Sequence, residues 1–207
     1  MSQSPRGNPC CESVLMGAAQ VRQFVATPMR WPNPLITVSF MPDGTQTPYG
    51  MSRLFNMMRN LSGWKDQIRY AFGSWRKVCG IGIVWVSDDG SPAGGDGMIQ
   101  GDPRFGDVRI GAVPITGALA ATIYPPSAFS HGTNHGDMYL STRYRPKIGS
   151  AGPGYDVRSL VTHEAGHAIG LAHSFKGTVM YGSHSGIKRV LTADDIAGAR
   201  KMYGLPM

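Results

Sequence analysis

Residues His163 to His173 read HEAGHAIGLAH, and this eleven-residue run constrains the fold more tightly than any other part of the chain. Histidines four apart lie on one face of an α-helix, so His163 and His167 can hold one ion together. Glu164 stands beside the first of them, where its carboxylate can reach a water on that ion without ligating it. Gly170 has no Cβ; it can take a left-handed conformation, end the helix and bring His173 back to the same point. Three neutral nitrogens with an open fourth position are the donor set of a catalytic zinc. HExxH alone is a weak signal, but the added glycine and third histidine direct the reading to hydrolysis by a metal-activated water.

The alternative is a zinc-binding, non-catalytic protein-interaction domain, its ion closed by a fourth protein ligand. No fourth His or Cys stands near the motif, and His131, His135 or His184 could approach only through the fold. The chain has two glutamates, Glu12 and Glu164, and the one beside a metal-spaced histidine favours chemistry over structure.

With 207 residues, 42% hydrophobic and 16% charged, the chain is long enough for one domain with a substantial core plus a short extension. Its net charge of +7 reads as a solvated basic surface, because no Lys/Arg run exceeds two residues; no nucleic-acid partner is expected. No apolar run approaches the roughly 20 residues of a membrane span. The cysteines Cys10, Cys11 and Cys79 are too few and odd in number for a disulfide framework, and Cys79 reads as a small buried apolar residue. The first twenty residues lack the apolar centre of a signal peptide, so either export takes another route or the sequence begins after the signal. Nothing demands more than a monomer.

Residues 1–23 read as an extension and 24–207 as the folded domain. Leu35–Phe40 alternates as a half-buried strand. Trp64, Ile68, Phe72, Trp75 and Val78 recur at helical spacing and predict a core-facing helix. Further strands are expected at Ile81–Val86, Val108–Val113, Leu119–Tyr124 and Asp137–Thr142, with a Gly/Asp-rich loop over 87–106. Asp156 is the expected N-cap of a helix running to about Leu171, and Thr192-x-x-Asp195 the capping box of a last helix ending before Gly204. That order predicts an α+β domain with a twisted mixed sheet.

The zinc motif followed by Thr178-Val179-Met180-Tyr181 resembles the metzincin metalloendopeptidases, in which a methionine turn lies beneath the metal; Ser174 directly after His173 is similar to the matrixin family. Leu191–Gly204, with Asp194-Asp195 and Tyr203-Gly204, resembles the matrixin C-terminal helix, and Asp107–Ala112 and Leu119–Pro125 resemble two of its strands. The resemblance covers roughly residues 24 to 204 and implies a five-stranded sheet with three helices, one catalytic zinc, Glu164 as general base and then acid, and Met180 as support. It further implies a protein or peptide substrate bound along a rim at Leu119, Ala120 and Ala121, and secretion. Asp194 and Asp195 would anchor the last helix.

Three departures stand out. The loop 86–106 has no histidine, and Ala121 and Tyr139 fall about where ligands of a second zinc would be expected, so no second zinc is expected. Asp88, Asp89, Asp96 and Asp102 could hold calcium, against the simpler reading of a solvated loop. Gly182-Ser183-His184 stands where the family carries Pro-x-Tyr, which alters the main specificity pocket. Phe24–Pro28 with Trp31 resembles a mature N-terminus. Residues 1–23 would then be a short pro-segment, with Cys10 or Cys11 a candidate latency ligand on the zinc, although Pro5–Cys11 carries the family's Pro, Arg, Gly and Cys in a different order.

Overall fold

The computed structural model describes residues 26–127 and 132–206. Residues 1–23 with Cys10 and Cys11, and also His131, lie outside these described residues. The chain runs β1 (Leu35–Phe40), β2 (Gln46–Thr47), β3 (Gly50–Met51), α1 (Leu54–Met58), α2 (Trp64–Arg76), β4 (Gly82–Trp85), β5 (Val108–Val113), β6 (Ala120–Thr122), β7 (Met138–Ser141), β8 (Pro146–Lys147), β9 (Tyr155–Asp156), α3 (Val157–Ala168) and α4 (Ala193–Tyr203). The expected mixed five-stranded sheet is present, in the order β4-β1-β5-β7-β6. Strands β4, β1, β5 and β7 run parallel, and β6 closes one edge antiparallel to β7.

One face of the sheet carries the main core. Ile36, Val38, Val108, Ile110, Ala112, Met138, Leu140 and Ala120 alternate onto it and meet α2 and α3. Helix α2 turns Ile68, Ala71, Phe72 and Trp75 inward, as its spacing predicts, and the Trp75 indole donates to the Thr162 carbonyl of α3 at 2.9 Å. Cys79 is buried in this core. Helix α2 ends at Arg76, two residues short of Val78, and β4, β6 and β7 are each shorter at both ends than the apolar runs suggest. The short helix α1 and the pairs β2/β3 and β8/β9 lie in segments without periodicity and were not expected.

The other sheet face departs from a half-buried reading of β1. Ser39, expected on an open face, is fully buried. Its hydroxyl donates to Asp88 at 2.8 Å and accepts from the Gly106 N–H, so the loop 87–106 folds over this face. Asp88 pairs with Arg109 at 2.7 Å, both side chains almost wholly out of water. The loop is thus anchored over this face by a buried ion pair, while most of its residues, 94–99 among them, stay exposed to solvent as expected.

Candidate metal centre and its neighbours

Helix α3 begins where its N-cap predicts: Asp156 Oδ2 accepts from the Ser159 N–H at 2.9 Å. It ends at Ala168, three residues before the expected Leu171, because Gly170 takes φ +101° and the Leu171 N–H returns to the Gly166 carbonyl. A Cβ at Gly170 would stand 2.3 Å from the Met29 carbonyl oxygen, so both its backbone angle and the packing around it require glycine. The last turn's carbonyls are not left bare: the Trp31 indole donates to Ala168, the Tyr203 hydroxyl to Ile169 and Thr27 to Gly170.

This exit carries His173 back to the helix. The ligand atoms of His163, His167 and His173 all lie within 4.8 Å of one another. His163 Nδ1 lies 2.7 Å from the Val179 carbonyl and His167 Nδ1 2.6 Å from the Leu171 carbonyl. A carbonyl only accepts, so both Nδ1 atoms carry the proton and both Nε2 atoms present lone pairs. Those two Nε2 atoms stand 3.1 Å apart. Two lone pairs so close repel unless a cation lies between them, and nitrogens about 2.0–2.1 Å from a tetrahedral zinc sit roughly 3.3 Å from each other. Burial pushes His163 down to about 3 and His167 well below the usual range, so the rings stay neutral as metal binding requires. The donor set fits zinc. Neither His135 nor His184 joins the cluster among the described residues, which leaves it a three-nitrogen site.

Glu164 is fully buried beside these rings. Its Oε2 accepts a 2.6 Å hydrogen bond from Thr122 of β6, and its Oε1 has no partner among the described residues. Burial drives its pKa up to about 8, against the pull of the Thr122 hydroxyl; a cation held by the neighbouring histidines would pull it back towards the ionised form that a base needs.

The methionine turn is held from α4. Asp195 accepts from the N–H groups of Val179 and Met180 at 3.0 and 3.2 Å while closing the predicted capping box with Thr192. Asp194 accepts from the Ser174 hydroxyl at 2.7 Å. The Val179 carbonyl that meets His163 and the Met180 N–H that meets Asp195 belong to one peptide group, so the last helix steadies a ring of the candidate metal centre through it. Met180 is buried with its thioether against Gly166, where a Cβ would come 2.2 Å from Sδ.

Leu119, Ala120 and Ala121 are all buried, on and just before the edge strand β6. Leu119 also lines a cavity of about 490 Å³, together with Arg143, Tyr144, Arg145, Tyr155 and His184. His184 of the Gly182-Ser183-His184 segment thus lines this cavity and also a small pocket that it shares with His163. Ala121 and Tyr139 are direct cross-strand partners and pack with Met41, Val113, Ile115 and Ala118 in a second apolar cluster. The carboxylates of Asp88 and Asp102 are engaged by Arg109 and Arg104, and among the described residues the histidine trio is the group arranged to hold a metal. Sequence reasoning missed Thr122, Arg143, Arg145 and Tyr155. Only the alternation that puts Ala120 and Thr122 on one face could have drawn attention to the first.

Comparison with known proteins agrees with this geometry. The matrixin family model matches residues 46–204. Karilysin of Tannerella forsythia is 35% identical over 96 residues, 44% of this chain and 19% of that protein. Metalloendoproteinase 1-MMP of Arabidopsis thaliana is 34% identical over 144 residues, 68% of this chain and 38% of that protein. The hatching enzyme of Paracentrotus lividus is 30% identical over 201 residues, 91% of this chain and 29% of that protein. The chain thus spans well under half the length of these curated relatives. No helix among the described residues is long and apolar enough to cross a membrane. With the metal-centre geometry, the capped last helix and a family match across most of its length, the chain belongs to the matrixin family.

Proposed function

We propose that this chain is a zinc-dependent endopeptidase acting on protein substrates. The observation that carries the reading is three converging neutral imidazoles with a buried carboxylate next in sequence to the first of them. His163, His167 and His173 would hold the zinc. When bound, zinc lowers the pKa of its water from about 15.7 to about 7 and polarises the scissile carbonyl. Glu164 Oε1 takes the proton of the attacking water, and the same carboxyl group then gives it to the leaving amine. Met180 supports the helix beneath the histidines. An extended peptide would add to the outer edge of β6 by backbone hydrogen bonds, with Leu119, Ala120 and Ala121 forming the rim. β6 ends the sheet on that side, which supports this placement. The domain would comprise residues 24–207. Secretion, and latency through residues 1–23 with Cys10 or Cys11, follow from the family resemblance.

The test is cleavage of a mixed quenched-fluorescent peptide library by the full chain and by Glu164→Ala, with zinc content measured on both. Turnover should fall by roughly 10²-fold or more in the variant, at one zinc per chain, and chelation should abolish it in the parent. Equal turnover in both proteins would sink the role of Glu164. Absent turnover in both, with zinc bound and residues 1–23 removed, would favour the non-catalytic binding domain.

A further inference from the structure

We propose that Thr122 is a positioning residue for Glu164, its hydroxyl holding the carboxylate in the orientation that the proton transfer needs. The inference rests on the endopeptidase reading above. Thr122 ends β6 and Glu164 lies 42 residues later in α3, yet their oxygens meet at 2.6 Å. A glutamate side chain can turn about its last carbon–carbon bonds, and here a single described partner stops it. Thr122 commits Oε2 and leaves Oε1 as the oxygen able to accept a proton. Without that hydroxyl, both oxygens would be buried with no donor, and the carboxylate would turn away or draw in water.

The strand explains why the holder is Thr122 and not a neighbour. Leu119 and Ile123 exchange backbone hydrogen bonds with the β7 side: Ser141 donates to the Leu119 carbonyl, and Ile123 donates to the Asp137 carbonyl. By the alternation of an antiparallel ladder, Ala120 and Thr122 turn their backbone groups to the open edge. Their side chains point to the α3 face, where Ala120 joins the main core and Thr122 reaches Glu164. One residue thus presents backbone groups to an incoming peptide and a hydroxyl to the base. A side-chain change leaves the backbone groups in place, so it should act on kcat and spare KM.

The experiment compares the zinc-loaded full chain with Thr122→Val, which matches the shape without the hydroxyl, and Thr122→Ser, which restores it. Thr122→Val should lower kcat roughly 10–100-fold, with KM and the single bound zinc unchanged, and Thr122→Ser should recover most of the loss. A second readout needs no turnover. With only Glu12 and Glu164 in the chain, labelling the glutamate side-chain carboxyl carbon gives two resonances, assigned by Glu164→Gln. The Glu164 resonance should move in Thr122→Val and return in Thr122→Ser. Parental kcat in Thr122→Val, equal losses in Val and Ser, or a rise in KM alone would each overturn the proposal. If the parent itself cleaves nothing, the endopeptidase reading fails separately; the resonance then decides the contact, and an unmoved signal in Thr122→Val overturns it.

Discussion

Gly182 lies against His173, the least enclosed of the three histidines: a Cβ there would stand 2.7 Å from Nδ1 and 2.9 Å from Cε1 of the ring. No real Cβ sits so close, so Gly182→Ala must move the imidazole or the turn that carries it. The substituted position is not helical, so no gain in helix propensity offsets the clash. We expect Gly182→Ala to weaken zinc binding by about 10–100-fold, the loss typical when a group that orients a ligand is disturbed, while the fold persists. Competition with a chelating dye would measure it, and unchanged affinity would show that the turn yields without cost. The clustering of the three histidines and the turn at Gly170 were legible in the sequence because they sit within eleven residues, where helical spacing and one glycine turn fix who faces whom. Gly182 and Thr122 were not, because each meets its partner through the fold: across a turn in one case and from sheet to helix in the other.

At the level of elements, α4 does more than close the chain. Asp195 is 1% exposed and accepts from the N–H groups of Thr192, Val179 and Met180, so one carboxylate serves both the helix start and the methionine turn. Asp195→Ala would strand several buried donors, each costing about 1–3 kcal/mol, so a loss of about 3 kcal/mol or more is expected in urea unfolding. Zinc affinity should fall with it, since Val179 also orients His163. Asp194→Ala removes the partly buried contact to Ser174 and should cost only about 1 kcal/mol. Similar losses in the two variants would show that the aspartates serve only as generic acids at a helix N-terminus. The capping signature was legible because it is local; its reach to the methionine turn was not. The same limit applies to β1. Its alternation gave the strand and its inner residues, Ile36 and Val38, but not that Asp88 and Arg109 would bury Ser39 beneath a distant loop.

Across the whole molecule, three segments converge on Asp156 at the N-terminal end of α3. Its carboxylate caps α3 through Ser159, accepts from the Gly149 N–H at 2.7 Å and receives Arg189 through Nε at 2.9 Å and Nη2 at 2.5 Å. Burial works against the charge, but Arg189, Gly149 and Ser159 outweigh it and hold the group down to about 2. The unfolded chain has this aspartate near its ordinary value of about 3.9, so it takes up a proton before the folded chain does. The contribution is therefore fully present above about pH 4 and is lost as pH falls towards 2; it amounts to about 2 kcal/mol. Asp156→Asn keeps a good N-cap residue while removing the charge, which separates the ion pair from the cap. In urea unfolding, the variant should be less stable than the parent by about that amount at pH 5 to 7, and the gap should close as pH approaches 2. A gap that stays constant down to pH 2 would assign the loss to shape or capping, and Arg189 would then be a bystander at the junction.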